Sequence, residues 1–295
     1  MLRVSAFLSV TFVAIVLGLA PRADAQPAAA PETIKVGIMG GMFKGVPAPL
    51  IKAGGQQFSG LFKAITGLPG DVEVEETHLD LAKKLNQGKA QLGVFHGFEW
   101  AWVQKANPSL TPLVITIPAH LPQLCIVVND KNNAPGARGL NGASVESPFN
   151  MKSHGFLYIE KLKSECPAGS FKISTPDDLG PDEALDEVGR GKATAALVDM
   201  SSLAAYQGNN PGKAGKLKVL CKSDPFPQTV LVYNKATMPK ATIEKLKAGL
   251  LKANMNPQGR AFLFMWNLRG FEEATPAFED LVAKSVKAFP APAQK

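Results

Sequence analysis

Two stretches decide the fold: "LNQGKAQLGVFHG" (residues 85–97) and "VGRGKATAALVDM" (residues 188–200). Each begins with an aliphatic residue and two spacers, continues with Gly-Lys-Ala, and ends in the apolar pattern of a buried strand. Gly88 and Gly191 are therefore predicted to end a helix in the left-handed conformation, and Lys89 and Lys192 lie where a helix dipole favours cations. The recurrence of this unit 103 residues further on predicts two lobes of one architecture, although two such joints can also be alike by chance.

On both sides of these units, short apolar strands alternate with longer helical patterns. The predicted strands are residues 33–39, 72–78 and 90–95 in the first lobe and residues 142–147, 170–175 and 194–200 in the second. Such alternation is typical of parallel βαβ units. The predicted fold class is therefore α/β, with a mixed, mostly parallel sheet flanked by helices in each lobe.

Two long apolar runs, residues 113–130 and 217–235, are interrupted by prolines. Proline does not fit inside a central strand, so each run is predicted to be two strands joined at a break where the chain crosses between lobes. Two crossings make a hinge. The predicted boundaries are residues 33–118 and 226–295 for lobe 1 and residues 119–225 for lobe 2, with a helical tail that folds back on lobe 1.

The N-terminal residues predict export. Arg3, an apolar run from Val4 to Ala20 and the small-x-small site Ala23-Asp24-Ala25 are typical of a signal peptide over residues 1–25, followed by a linker at 26–32. A retained membrane anchor is the alternative. Cleavage changes the formal charge only from +7 to +6, and there is no basic stripe, so nucleic acid is not an expected partner.

The second crossing and tail, "LKVLCKSDPFPQTVLVYNKATMPKATIEKLKAGLL" with "NPQGRAFLFMWNLRGFEEAT", are similar to the phosphate/phosphite/phosphonate-type periplasmic substrate-binding proteins of ABC transporters. The stretch "ETHLDLAKKLNQGKAQLGVFHGFEWAWVQKA" resembles the same family, and the likeness runs from Thr33 to about Ala288. The resemblance implies a two-lobed type 2 (Venus flytrap) fold. It also implies a solute receptor that captures a phosphonate- or phosphate-like oxyanion between its lobes and delivers it to a membrane permease.

The resemblance implies an anion site in "SPFNMKSHGF" (residues 147–156). Ser147, Ser153 and Gly155 match the family's strand end and its Ser-Thr-Ser-Gly-like run, whereas Lys152 and His154 stand where small hydroxyl residues are expected. Free backbone N–H groups and the dipole make a helix start an anion site, to which Lys152 adds charge. The alternative is that Ser153 is an ordinary N-cap.

Ligands of such sheets lie beyond the carboxyl ends of the strands, which makes the loops there further candidates. The residues chosen from these loops are Met39, Met42, Phe43, His78, His96, Gly97 and Asp199. The family resemblance implies that an acidic residue near Asp199 meets a ligand amine. Asp199 is equally suited to be the N-cap of the following helix.

The histidines and methionines of these loops leave a second ligand class open. Imidazole and thioether groups suit a soft metal or a metal chelate, and the residues that would supply them are His78, His96, His154, Met39 and Met151. No His-x₃-His or paired-cysteine spacing supports that alternative.

Three cysteines, Cys125, Cys166 and Cys221, predict one disulfide and one leftover thiol in an oxidising compartment, with the pairing left open. The sequence contains no Gly-x-Ser-x-Gly elbow, no His-Glu-x-x-His motif, no Walker loop and no dinucleotide-binding fingerprint, so neither an enzyme nor a cofactor is predicted. The expected state is a monomer that is mostly open and closes on its ligand. A periplasmic sensor module is the remaining alternative.

Overall fold

A computed structural model describes residues 33–43 and 46–292 of the chain. The predicted signal peptide and the linker lie outside these residues. Within them, no helix combines the length and the apolar character needed to cross a bilayer.

The first lobe is built on a six-stranded sheet with the strand order β11-β4-β10-β3-β1-β2. Its strands are β1 (Ile34–Met39), β2 (Gly70–Glu75), β3 (Leu92–Phe95), β4 (Leu110–Pro118), β10 (Val230–Asn234) and β11 (Leu268–Glu272). Its helices are α1 (Ala48–Thr66), α2 (His78–Asn86), α3 (Gly97–Val103), α8 (Lys240–Leu251), α9 (Pro257–Met265) and α10 (Pro276–Ala288), with a 3₁₀ turn at Gly40–Phe43.

The second lobe is built on a five-stranded sheet with the order β7-β6-β8-β5-β9. Its strands are β5 (Leu124–Asn129), β6 (Ala143–Glu146), β7 (Phe171–Ser174), β8 (Ala195–Asp199) and β9 (Leu217–Lys222). Its helices are α4 (Ser153–Glu165), α5 (Pro181–Gly189), α6 (Met200–Asn209) and α7 (Pro211–Ala214). The chain crosses between the lobes after β4 and after β9, and the predicted boundaries at 118/119 and 225/226 fall in those two connections.

The repeated sequence unit forms the same structure twice. Gly88 and Gly191 have φ values of 68° and 72°, and each follows a helix whose end is closed by a pair of backbone hydrogen bonds. Gly88 N–H donates to Leu85 O and Lys89 N–H to Lys84 O. The same bonds join Gly191 to Val188 and Lys192 to Glu187. Both ends are Schellman motifs, as the two glycines predicted.

Both sheets are covered on both faces, and strand β5 shows how. Leu124, Ile126 and Val128 pack in a cluster with α4, whereas Cys125 and Val127 pack on the other face against α5 and α6. Alternate residues of a strand point to opposite faces, so β5 is buried on both sides. This double burial explains why central strands of the protein read as continuous apolar runs.

Several elements differ from the sequence prediction. A cleft loop is predicted over residues 94–100, but helix α3 begins at Gly97 there, and the predicted helical tail contains an edge strand, β11, antiparallel to β4. The strands that follow each crossing also pair antiparallel with their neighbours, as β5 does with β8 and β9. The sheets are therefore mixed, with a larger antiparallel share than predicted, because β5 and β10 enter their sheets directly from a crossing and not through a crossover helix.

The predicted disulfide is absent: Cys125, Cys166 and Cys221 are all free. Ile126 is the register partner of Cys221, which places the Cys125 side chain on the opposite face of the sheet from that of Cys221. Cys125 is fully buried, and burial raises the pKa of its thiol to about 12. Cys166 and Cys221 instead line one cavity on the second lobe.

Candidate functional site

A cavity of about 170 Å³ lies between the lobes, where the two crossings meet. Residues of both lobes, both crossings and the tail contribute to its walls. The polar and aromatic members are His96 and Phe98 from lobe 1, Lys152, His154, Asp199 and Ser201 from lobe 2, Thr116, His120, Phe226 and Thr229 from the crossing segments, and Trp266 and Asn267 from the tail. The cavity lies at the carboxyl ends of β3 and β8, as expected for open α/β sheets.

The second-lobe wall is made by the first turns of α4 and α6. Lys152 is the N-cap of α4 and Asp199 the N-cap of α6, and neither side chain caps its own helix. Ser153 is the first helical residue rather than the N-cap, so the ordinary capping role considered for it is not observed. Both helices therefore direct N-terminal backbone dipoles toward the cavity without a side-chain cap.

Asp199 instead accepts a hydrogen bond from His154, whose Nε2 lies 2.6 Å from Asp199 Oδ1. Burial opposes ionisation of Asp199, but the hydrogen bond from His154 and the positive charges of His154 and Lys152 outweigh it. The pKa of Asp199 is consequently lowered. The carboxylate orients the His154 ring and cancels part of the positive charge of this wall.

The first-lobe wall presents His96, whose ring stacks on Phe98 with a centroid distance of 5.1 Å. Its Nε2 atom is buried and has no hydrogen-bond partner among the described residues. Burial, together with the charges of His154 and Lys152, lowers the pKa of His96 to about 3. A neutral imidazole, whose Nε2 has no partner among the described residues, therefore lines the same cavity as the N-cap residues of α4 and α6.

Trp266 also lines this cavity and carries a second unpaired ring nitrogen. Its Nε1 is buried without a partner among the described residues, and its ring meets Phe43 edge-on at a centroid distance of 5.8 Å. Helix α9 ends just before Trp266, and Asn267 turns the chain into β11 with a φ of 52°. An unpaired buried N–H costs free energy unless water or a ligand satisfies it.

The two lobes touch beside this cavity. A Cβ atom placed on Gly41 would lie 2.5 Å from Ser153 Oγ and 3.6 Å from His96 Nε2. A Cβ on Gly97 would lie 2.5 Å from the carbonyl oxygens of Pro227 and Gln228. At Gly97 only glycine fits, because the close atoms are backbone oxygens of the crossing. At Gly41 a larger residue would displace the Ser153 hydroxyl at the contact between the lobes.

The structure brings five predicted site residues into the cavity: His96, Gly97, Lys152, His154 and Asp199. Ser153 lies at the contact with Gly41, beside the cavity. Met42 and Phe43 line a neighbouring groove that also includes Lys152 and Trp266.

The remaining predicted site residues are used in packing. Met39 is 2% exposed in the first-lobe core, and His78 packs edge-on against Trp102. Ser147 is 1% exposed and its hydroxyl contacts Met151 Sδ at 3.5 Å. A Cβ on Gly155 would collide with the Met151 side chain. None of these four residues lines the cavity: the side chains of Met39, His78 and Ser147 pack within the lobes, and the Gly155 backbone packs against Met151.

The structure does not bring the proposed metal ligands together. Two of its histidines, His96 and His154, reach the cavity, but His78, Met39 and Met151 do not. Among the described residues, no three His, Cys, Asp or Glu side chains are placed to hold a metal ion.

Sequence reasoning missed the contribution of the crossings and the tail. In the sequence, Thr116 and Thr229 lie within apolar runs that predict strands, and Trp266 lies within a helical pattern. The available signals were threonine next to the proline breaks of each crossing and an Asn after Trp266, which often ends a helix in the left-handed region.

Two α/β lobes joined by two crossings around a polar cavity define the class of two-lobed solute-binding proteins. The sequence model of the family described as "ABC transporter, phosphonate, periplasmic substrate-binding protein" matches residues 53–277. The chain belongs to this family, which is a family of transport receptors. No curated protein matches the sequence significantly.

Solved structures share the fold at low sequence identity. A Xanthomonas citri protein bound to ATP is 14% identical, with a TM-score of 0.59 over 88% of this chain and 98% of its own. A phosphonate-binding protein of Prochlorococcus marinus in complex with methylphosphonate is 15% identical, with a TM-score of 0.57 over 87% and 97%. The binding-protein component of a Pseudomonas aeruginosa ABC phosphonate transporter is 14% identical, with a TM-score of 0.54 over 87% of each chain.

Proposed function

We propose that this receptor binds a small phosphonate- or phosphate-like oxyanion in the interlobe cavity and closes around it. The observation that carries the proposal is a set of polar groups that line one cavity and have no hydrogen-bond partner among the described residues. His96 and Trp266, whose buried ring nitrogens are unpaired there, line it together with Lys152 and Asp199, the N-cap residues of the uncapped helices α4 and α6.

Each part of this wall suits an oxyanion. Backbone N–H groups at a helix start bind anions through hydrogen bonds and the dipole, and the charge-assisted hydrogen bond from Lys152 adds strength. The imidazole of His96, neutral at physiological pH, either donates to a charged oxygen or accepts from a protonated one. The Asp199 carboxylate is hydrogen-bonded to His154, which offsets part of its repulsion of an oxyanion. Asp199 is also the acidic group available to a ligand amine.

Closure follows from the positions of these groups on different lobes. His96 belongs to lobe 1 and Lys152, His154 and Asp199 to lobe 2, so one ligand completes hydrogen bonds in both lobes only when they approach. Gly41 permits that approach directly over Ser153. Ligand binding therefore shifts the population toward the closed form.

In the cell, the protein is proposed to be exported by its signal peptide, to act in the periplasm as a monomer, and to deliver its ligand to an ABC permease. Binding without turnover is the proposed activity. The lobes, brought together by the ligand, would form the surface that the permease recognises.

Isothermal titration calorimetry of the mature chain with methylphosphonate and with inorganic phosphate tests the proposal. Lys152→Met should weaken binding about tenfold or more, as expected for loss of a hydrogen bond to a charged group. Lys240→Met, which removes the same charge from a side chain 90% exposed on α8, serves as the matched control. Ser153→Glu should abolish binding and leave the protein folded, since it places a carboxylate at the helix start.

The proposal fails if neither compound binds the wild-type protein. It also fails if Lys152→Met and Lys240→Met weaken binding equally, because the cavity would then have no specific part in it.

A further inference from the structure

A second cavity, of about 110 Å³, lies inside the first lobe. Its walls come from the central strands of the sheet and from α1, α9 and β11. Among the lining residues are Val36, Ile38, Phe58, Phe62, Phe262 and Phe271. Among the described lining residues, the only side chains that carry nitrogen or oxygen are those of Thr116, Thr229 and Trp266, so the described walls of this space are mainly apolar.

The apolar cavity adjoins the interlobe cavity. Thr116, Thr229, Trp266 and Leu268 line both spaces. The Thr116 hydroxyl donates to Thr229 O at 3.2 Å, so its proton is already used within the sheet. The boundary between the two spaces therefore consists of two threonine side chains, an indole ring and a leucine side chain, without a charged group among the described residues.

An apolar cavity of this size favours apolar molecules over water. It lowers the stability of the core, because the lining atoms lose packing partners. It does not hold water well, since it offers few hydrogen-bond partners, and a cavity of about 150 Å³ lined by similar side chains takes up benzene. Such a space beside a binding site is suited to the apolar part of a ligand.

We propose that the preferred ligand is a phosphonate with an apolar substituent about the size of a phenyl or short branched alkyl group. The oxyanion meets the helix starts of lobe 2, and the substituent enters the apolar cavity past Trp266 and Thr229. This inference rests on the proposed function and names its substrate class. Trp266 is the specificity-determining residue, since it lines both spaces and also the outer groove beside Met42.

Calorimetric titration of the mature chain with phenylphosphonate and methylphosphonate tests the inference. The two probes share the charged group and differ in the apolar part. Wild-type protein should bind phenylphosphonate about tenfold or more tightly than methylphosphonate, because apolar groups buried in a fitting pocket discriminate by at least this factor.

Filling the apolar cavity should remove this preference. Val94, a partly buried residue of β3, lines the cavity, and Val94→Leu and Val94→Phe reduce its space in two steps. The ratio of the two affinities should fall toward one in that order. Val219→Leu makes the same change at a partly buried strand position of lobe 2, away from both cavities, and should keep the wild-type ratio.

Should Val94→Phe not fold, Val94→Leu still gives a result, since it adds only one methylene group. Equal or weaker binding of phenylphosphonate by the wild type, with methylphosphonate bound, overturns the apolar subsite and leaves the oxyanion proposal standing. An unchanged ratio in Val94→Leu also overturns it. Failure of both phosphonates to bind overturns the proposed function and this inference together.

Discussion

Glu99 provides a sharp test of the electrostatics behind the cavity. This carboxyl on α3 is 6% exposed and accepts a hydrogen bond from His96 N–H at 3.1 Å. Burial raises its pKa to about 7, although the hydrogen bond acts in the opposite direction. The ordinary value is 4.5, so between these two pH values the folded protein holds a proton that the unfolded chain releases.

The sign of the pH dependence follows. The stabilising contribution of neutral Glu99 is fully present below pH 4.5 and is lost as the pH rises through 7, because the unfolded state binds fewer protons there. With the two pKa values, the free energy of unfolding should fall by roughly 2.5 kcal/mol between pH 5 and pH 8 on account of this group. Glu99→Gln, which keeps an oxygen acceptor for His96 N–H, should abolish that fall.

Urea unfolding at pH 5 and at pH 8 gives the free energy of unfolding of Glu99→Gln minus that of the wild type. This difference should be roughly 2.5 kcal/mol larger at pH 8 than at pH 5. His96→Gln is the control with the opposite sign. The pKa of His96 is lowered to about 3, so its contribution is lost as the pH falls below 6.5, and the variant should gain relative stability toward acid. A Glu99→Gln difference that is the same at both pH values would refute the reasoning.

Two further predictions concern packing and thiol chemistry. Gly97→Ala places a Cβ 2.5 Å from backbone oxygens of the crossing and should lower the free energy of unfolding by about 1–3 kcal/mol, measured by urea unfolding. The control is Gly60→Ala in α1, where nothing lies within 4 Å of the added Cβ; it should raise the free energy of unfolding by about 0.5–1 kcal/mol. Equal effects of Gly97→Ala and Gly60→Ala would contradict the close contact at Gly97. Under reducing conditions, iodoacetamide should modify Cys166 and Cys221 but not buried Cys125 in the native protein, as read by peptide mass spectrometry; native-state modification of Cys125 would contradict the assigned burial.

The fold could be predicted from the sequence because its signals are local. Left-handed glycines such as Gly88 and Gly191, apolar strands and prolines at the crossings depend on neighbouring residues. Strand β11 was missed because its residues follow helix α9 without a proline or glycine break, and its partner β4 lies about 150 residues earlier in the chain. Pairing at that distance leaves no local trace.

The site was predicted less completely, and the reason is side-chain direction. Sequence position placed Ser147 and Met39 at strand ends, but whether such a side chain faces the cleft or the core depends on register and on the lobe's packing. Lys152 and His154 lie in the cavity while Gly155, one residue further, packs on Met151. Trp266 reaches the cleft because it lies just before β11, which pairs with β4, the strand that leads into the first crossing.

A crystal structure of the mature protein grown with methylphosphonate tests the central claim most directly. We expect the phosphonate group between the first turns of α4 and α6, within hydrogen-bond distance of Lys152 Nζ and of His96 Nε2 or Trp266 Nε1. A ligand bound outside the cleft, or within it but contacting one lobe alone, would contradict the account.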